Sequence, residues 1–342
     1  MVLETLSPPP RSTANPAPPR PAGSVRRTSS IDVCWPDGEQ GGRLFVGRVR
    51  DYLTPAVGKP GKLLDFAGFR ARIADDKTID AITADPALPG IEQLVGMRGG
   101  NHLRLFLKET MPHLITDGAP IYLALDDISG TALVSAFAWS HWHGDFMQSM
   151  RARMTPGELA RLMADRVNVC WGLQEGNSGV SGDGPTRDVA ETEAGDVRNS
   201  ADPEGWHELD DPAGPGFRRA RRIDVIRDAA AGLIRVDAAF QDSVALKQGG
   251  RGAIHEYNLA VTIDAGTLEI LTLEPEARIL PFAECPGAIH NARRLIGSNL
   301  GRIRDSVLTQ LRGPEGCTHL NDALRALAEV PKLAGYLETP PA

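Results

Sequence analysis

The sequence predicts an α+β fold, built as two related modules of antiparallel β-hairpins plus a helix in a pseudo-two-fold arrangement. Three observations carry this expectation. Arg26-Arg27-x-x-x-Ile31-Asp32-Val33 recurs as Arg218-Arg219-x-x-x-Ile223-Asp224-Val225. ARIADDKTIDAITADP at 71–86 lies without a gap against AVTIDAGTLEILTLEP at 260–275, and Leu94-Val95-Gly96 returns as Leu295-Ile296-Gly297. Ordered self-similarity at a nearly constant offset marks an internal repeat, here one module of roughly 110 residues present twice.

Each Arg-Arg segment runs into a turn, Pro36-Asp37-Gly38 in the first copy and 228–232 in the second. A β-prone return follows, Leu44-Phe45-Val46 or Leu233-Ile234-Arg235-Val236, ending at Asp51 or Asp242. Turn residues between β-prone runs signal a hairpin, and Asp-x-x-Thr inside the second block signals another. After the Leu-x-Gly echo, apolar spacing of 3 to 4 at 103–107 and 303–311 predicts an amphipathic helix in each copy.

Between the copies, 120–125 and 131–139 flank Asp126-Asp127-Ile128-Ser129-Gly130 and read as a third hairpin. Thr155, Pro156 and Glu158 then supply an N-cap, a first-turn proline and a capping box. Residues 172–205 are rich in Gly, Asp and Ser and read as a long loop. The expected boundaries are a disordered tail over 1–24 and a first module over 25–127. An inserted hairpin, helix and loop over 128–216 precede a second module over 217–342.

Composition narrows the function classes. Net charge is −7, which argues against a broad nucleic-acid surface. No run of 18 apolar residues predicts a membrane span, and no apolar leader opens the chain. Four scattered cysteines without a C-x-x-C pair fit a reducing cytoplasm. Phosphate-loop, dinucleotide, nucleophile-elbow and H-E-x-x-H patterns are missing from the sequence, so no cofactor is implied.

The second copy resembles a bacterial family, domain of unknown function 2889. The resemblance rests on the Arg218-Arg219 to Val225 segment, Cys285-Pro286, Leu295-Ile296-Gly297 and above all Gly316-Cys317-Thr318-His319-Leu320, over roughly 217–330. The first copy matches the opening and then departs, with Gly118-Ala119-Pro120-Ile121 where the Cys-Thr-His segment would fall. What the resemblance implies about activity is slight: some relatives are associated with bacterial breakdown of aromatic compounds.

Candidate site residues fall in four groups. Trp139-Ser140-His141-Trp142-His143-Gly144-Asp145 offers two imidazoles for acid/base work and two indoles for an aromatic ligand. His255-Glu256-Tyr257 places His255 and Tyr257 on one strand face and Glu256 on the other. Arg218 and Arg219 fit either an anion clamp or the charged rim of an edge strand. Cys317 and His319 stand at a loop-to-helix junction, with Thr318 or Asn321 as its cap. They read either as a thiol site or as a helix-start device. Cys285, His290, Cys317 and His319 could converge on a metal, but Cys317/His319 is the one short-spaced ligand pair among them, so no metal is expected. The resulting expectation is a cofactor-independent lyase for a small aromatic substrate. A non-catalytic binding protein and a Cys317/His319 hydrolase or transferase stand as alternatives, and a homodimer is left open.

Overall fold

Both Arg-Arg segments become long strands that are buried on both faces. β1 (Ser24–Cys34) and β6 (Gly216–Asp228) lie antiparallel at the middle of a single sheet. From β1 the sheet continues through β2 (Arg43–Thr54), β3 (Lys62–Ile73) and β4 (Ile79–Asp85). From β6 it continues through β7 (Leu233–Ala245), β8 (Arg251–Asp264) and β9 (Ile270–Ile279). The two-residue β5 (Glu193–Ala194) pairs with the start of β8. These are features of a computed structural model that describes residues 12–56, 59–142, 154–180, 192–211 and 213–337. The α+β class is the one observed.

The central register has its own symmetry. Ser29 lies opposite Arg221, Arg26 opposite Asp224 and Asp32 opposite Arg218. Because Ser29 and Arg221 hold equivalent places in the two segments, each strand presents its Arg to the other's Asp, as an isologous interface does. The equivalence extends outward. Gly96 donates its N–H to the Ile79 carbonyl and Gly297 to the Ile270 carbonyl, both at 2.8 Å. Each glycine takes a positive φ, 84° and 85°, where a side chain would be strained. Ile79 thus corresponds to Ile270, whereas the gapless comparison of 71–86 with 260–275 sets it against Leu268. That match is out of register over β4 and β9, because the positive-φ turn residue is Lys77 in one half and Leu268 in the other.

Helices cover one face of the sheet. Over the first half lie α1 (Asn101–Thr110), α2 (Pro112–Thr116) and α3 (Pro120–Val134). After α4 (Pro156–Ala164), α5 (Ala288–Ala292), α6 (Ile303–Gln310), α7 (Thr318–Arg325) and α8 (Val330–Gly335) cover the second half. The helices expected at 103–107 and 303–311 are α1 and α6. The Thr155 capping box forms as read, with Thr155 and Glu158 bonded reciprocally.

The opposite face is covered by segments 12–23 and 192–211. Ala17, Val197, Trp206, Leu209 and Ala220 form a small core there, and His207 bridges Ser30 and Thr28 at 2.8 Å each. Residues 12–23, expected in a disordered tail, are therefore docked, with Arg20 paired to Asp202 at 2.7 Å.

Two further expectations fail. The supposed third hairpin at 120–139 is α3 followed by a 3₁₀ turn (Ser135–His141). Pro120 at its first turn favours a helix start, and nearly every side chain of α3 is buried against β1, β2 and β3. Asp126 and Asp127 are ion-pair partners, not turn residues: Arg325 reaches Asp126 at 2.9 Å and Arg221 reaches Asp127 at 2.6 Å. By length and apolarity the stretch Pro120–Trp139 would suit a membrane span, but 78% of its apolar 18-residue window is buried inside the protein, as a core helix would be. Arg218 to Arg222 do not line a sheet edge, for β6 is central and its arginines are enclosed and paired.

Gly130 of α3 lies against the Arg219–Asp322 ion pair, and a Cβ there would collide with the Arg219 Nη1 and the Asp322 carboxylate. Gly130→Ala is expected to destabilise the protein by about 1–3 kcal/mol, read as a lower urea midpoint. An unchanged midpoint would show that this pair has room to move.

Candidate functional site

The second half begins from a structural bridge that both halves share. Arg27 holds Asp51 through two bonds of 2.6 Å, and Arg219 holds Asp242 through two bonds of 2.9 Å. Each guanidinium then reaches a helix carboxylate, Glu329 at 2.5 Å for Arg27 and Asp322 at 3.0 Å for Arg219. Arg104 of α1 also reaches Asp322, at 2.6 Å, so helices of the two halves meet beside Asp242.

What the second half adds is a pair of imidazoles. Asp242 lies opposite His255 and Ser243 opposite Ala253, so Ile254 is an extra residue in β8 and the strand bulges there. A bulge re-aims the side chain beside it. His255 Nδ1 stands 3.3 Å from the Asp242 Oδ2, and His319 Nε2 stands 3.8 Å from the same oxygen. The rings stack with centroids 3.5 Å apart and planes 16° from parallel. The phenyl ring of Phe240 lies 6.3 Å from His319. His255 is buried and His319 is 13% exposed, so His319 is the solvent-facing member.

Electrostatics gives the members different states. Burial alone would raise Asp242, but Arg219 and His255 outweigh it and hold its carboxyl well below the usual carboxylate range. Burial, and then the charge of His255, push His319 well below its ordinary value, so it is neutral near neutral pH. Asp242, His255 and His319 each offer a ligand atom within 4.8 Å of the others. A metal would need the ring lone pairs to converge, and nearly parallel stacked rings direct theirs side by side. The Asp242 oxygens are also committed to Arg219. The arrangement suits proton exchange among fixed groups better than metal ligation.

Cys317 is the N-cap of α7, so Thr318 and Asn321, the caps expected, both lie within the helix. Tyr257 donates its hydroxyl to the Cys317 sulfur at 3.3 Å. Burial pushes this thiol up, against lowering by Tyr257 and by the N–H groups of Leu320 and His319. Burial raises Cys170 to about 11 and lifts Cys285 as well. The His319 nitrogens face Thr318 and Asp242, so no Cys317–His319 hydrogen bond supports the thiol reading, and Cys317 holds the N-cap position without a side-chain cap bond. His290 is exposed, so the imagined Cys285/His290/Cys317/His319 convergence does not form.

The sheet divides the remaining candidates. His255, Tyr257 and Arg219 face the helices; Glu256 and Arg218 face the other way. Glu256 accepts from Gln241 at 2.5 Å and from the Ala14 N–H at 2.6 Å, and Arg278 lies 3.1 Å away. Burial pushes Glu256 up against these three partners. Arg218 and Arg219 are occupied by Asp32 and Asp242, so neither is free to clamp a substrate. Trp139 packs edge-on against Trp35, centroids 5.7 Å apart, as part of the core. Trp142 donates its indole N–H to the Ala245 carbonyl at 3.0 Å. The side chain of His141 and all of His143 lie outside the described residues.

Sequence reasoning missed Asp242 and Asp322 as members of the site. Asp242 was visible as the counterpart of Asp51 at the end of each hairpin; Asp322 had no comparable signal.

This geometry lies in the segment that a family comparison picks out. Residues 217–332 match the family described as Protein of unknown function (DUF2889). The match covers about a third of the chain and holds Arg219, Asp242, His255, Cys317 and His319 within it. No curated protein and no solved structure matches the chain.

Two tests follow from the DUF2889 segment. Cys317, buried with its thiol raised, should resist iodoacetamide at pH 8 in the native protein and react in urea; fast native alkylation would contradict the burial. His319 has a folded pKa below its unfolded value. The unfolded chain therefore takes up the proton first as pH falls, and stability drops below about pH 6.5. The groups facing His319 are His255, Asp242, Arg219 and Asp322. His319→Asn should lessen the loss between pH 6.5 and 5 by up to about 1.4 kcal/mol per pH unit, by urea unfolding. An unaltered slope would show that His319 titrates alike in both states.

Proposed function

We propose that this chain is a cofactor-independent enzyme, a lyase for a small aromatic compound, with His255 and His319 over Asp242 as its proton-transfer centre. We also infer that it arose by tandem duplication of one module, with the insertion between copies. The observation that carries the catalytic reading is an internal control. The first half builds the same Arg–Asp bridge, Arg27 to Asp51, with Asp65 opposite Asp51 where His255 stands opposite Asp242. Among the described residues no imidazole stands over Asp51, so the His pair is an addition to what that bridge requires.

In such a lyase the neutral His319 imidazole takes a proton from a substrate hydroxyl. The Asp242 carboxylate, 3.8 Å from the His319 Nε2, stabilises the imidazolium, His255 stacks on the ring and holds its orientation, and the same proton returns to the carbon left after cleavage. For a hydroxymethyl substituent, the C–C electron pair moves to the carbon next to the ring and formaldehyde leaves. Each atom of the substrate is accounted for without an oxidant.

Metal-stripped protein assayed against aromatic compounds with hydroxymethyl side chains should release formaldehyde. His319→Ala and His255→Ala should each lower turnover by about 10²-fold or more. Full activity in either variant removes the role given to it, and activity that vanishes with chelation and returns with metal replaces this reading by a metal-dependent one.

A further inference from the structure

On the face of the sheet away from the His pair, a cleft of about 490 Å³ opens beside the β7–β8 turn. This is the size of a small-molecule site. Its wall includes Trp142, Arg218, Gln241, Ser243 and Arg251. Of the three arginines lining it, two are matched: Arg198 by Asp196 and Asp211, Arg218 by Asp32 and Asp211. Arg251 differs. It donates through Nε to the Ser243 hydroxyl at 2.9 Å and through Nη2 to the Ser243 carbonyl at 3.1 Å. Among the described residues, no carboxylate lies within ion-pair distance of it. Burial, with Arg218 next to it, pushes its pKa down to about 10.

We propose that this cleft binds a small aromatic carboxylate, its ring against Trp142 and its anionic group on Arg251. A half-buried guanidinium beside a second cation is stabilised by an added anion, and the Ser243 bonds aim its fork while Nη1 has no hydrogen-bond partner among the described residues. Ala194, Val197, Ala245 and Leu246 supply the apolar part of the lining, beside Lys247 and the carboxylates Asp196 and Asp211. Those two carboxylates are turned to Arg198 and Arg218, and the apolar part fits a ring with one charged end. The Trp142 ring is held in place by its bond to Ala245, so little ordering is needed on binding. Gln241, also in the wall, is held with its amide oxygen accepting from Asn15 and its amide nitrogen donating to Glu256. This site is independent of the proton-transfer reading, because the sheet lies between the two.

The test is calorimetric titration of the intact chain with benzoate, 4-hydroxybenzoate and cinnamate, with benzamide and acetate as controls. At least one of the three aromatic carboxylates should bind one to one, about tenfold or more tighter than both controls. Arg251→Gln and Trp142→Leu should each weaken it by about tenfold or more, with unfolding midpoints checked to exclude misfolding. His319→Asn should leave the affinity unchanged. Absence of binding by all three carboxylates, unaltered affinity in folded Arg251→Gln, or loss of binding in His319→Asn would each overturn the proposal.

Discussion

The middle of the sheet is held by arginines that cannot reach water. Arg26, Arg27 and Arg219 are almost fully enclosed, and each must find carboxylates in the fold, because a guanidinium buried without a counter-ion costs far more than a domain can spare. That requirement sets the register. With Arg26 facing Asp224 and Arg218 facing Asp32, a one-residue slip would turn every guanidinium to the wrong face. It also sets the helices: Glu329, Asp322 and Asp127 are placed to complete the pairing begun by Asp51 and Asp242.

Much of this was present in the sequence in a form that could be read. Arg26 and Asp32 are six apart on one strand face, as are Arg218 and Asp224, which makes the strand complementary to an antiparallel copy of itself. The repeat, both hairpins and the helix after each Leu-x-Gly were legible because they rest on local turn chemistry and periodicity. The fate of 120–139 was not. Its apolar run around Asp126-Asp127 has the pattern of a hairpin, and only the arginines supplied by distant elements make those aspartates acceptable within a buried helix. Residues 12–23 were misread for a similar reason, since Pro-rich composition does not show that Glu256 and Asp202 await their N–H groups.

The candidate site repeats the lesson at smaller scale. Alternation along β8 correctly separates His255 and Tyr257 from Glu256. The Cys317-Thr318-His319 motif invites a thiol mechanism, yet tertiary packing turns Cys317 toward Tyr257 and His319 toward Asp242. Comparing Asp51 with Asp242 separates what holds the sheet from what was placed upon it. A shared Arg–carboxylate bridge underlies both halves, and among the described residues only the second half carries stacked imidazoles over that carboxylate.

We propose that the bridge supports the fold and that the imidazoles serve chemistry. Urea unfolding at pH 7.5 of Asp242→Asn beside His319→Asn tests it most directly. Breaking the buried bridge should cost about 3–5 kcal/mol. Replacing the partly exposed imidazole should cost no more than about 1.5 kcal/mol, as a shape-tolerant substitution does. Equal losses in the two variants would contradict the account, because His319 would then be part of what holds the sheet.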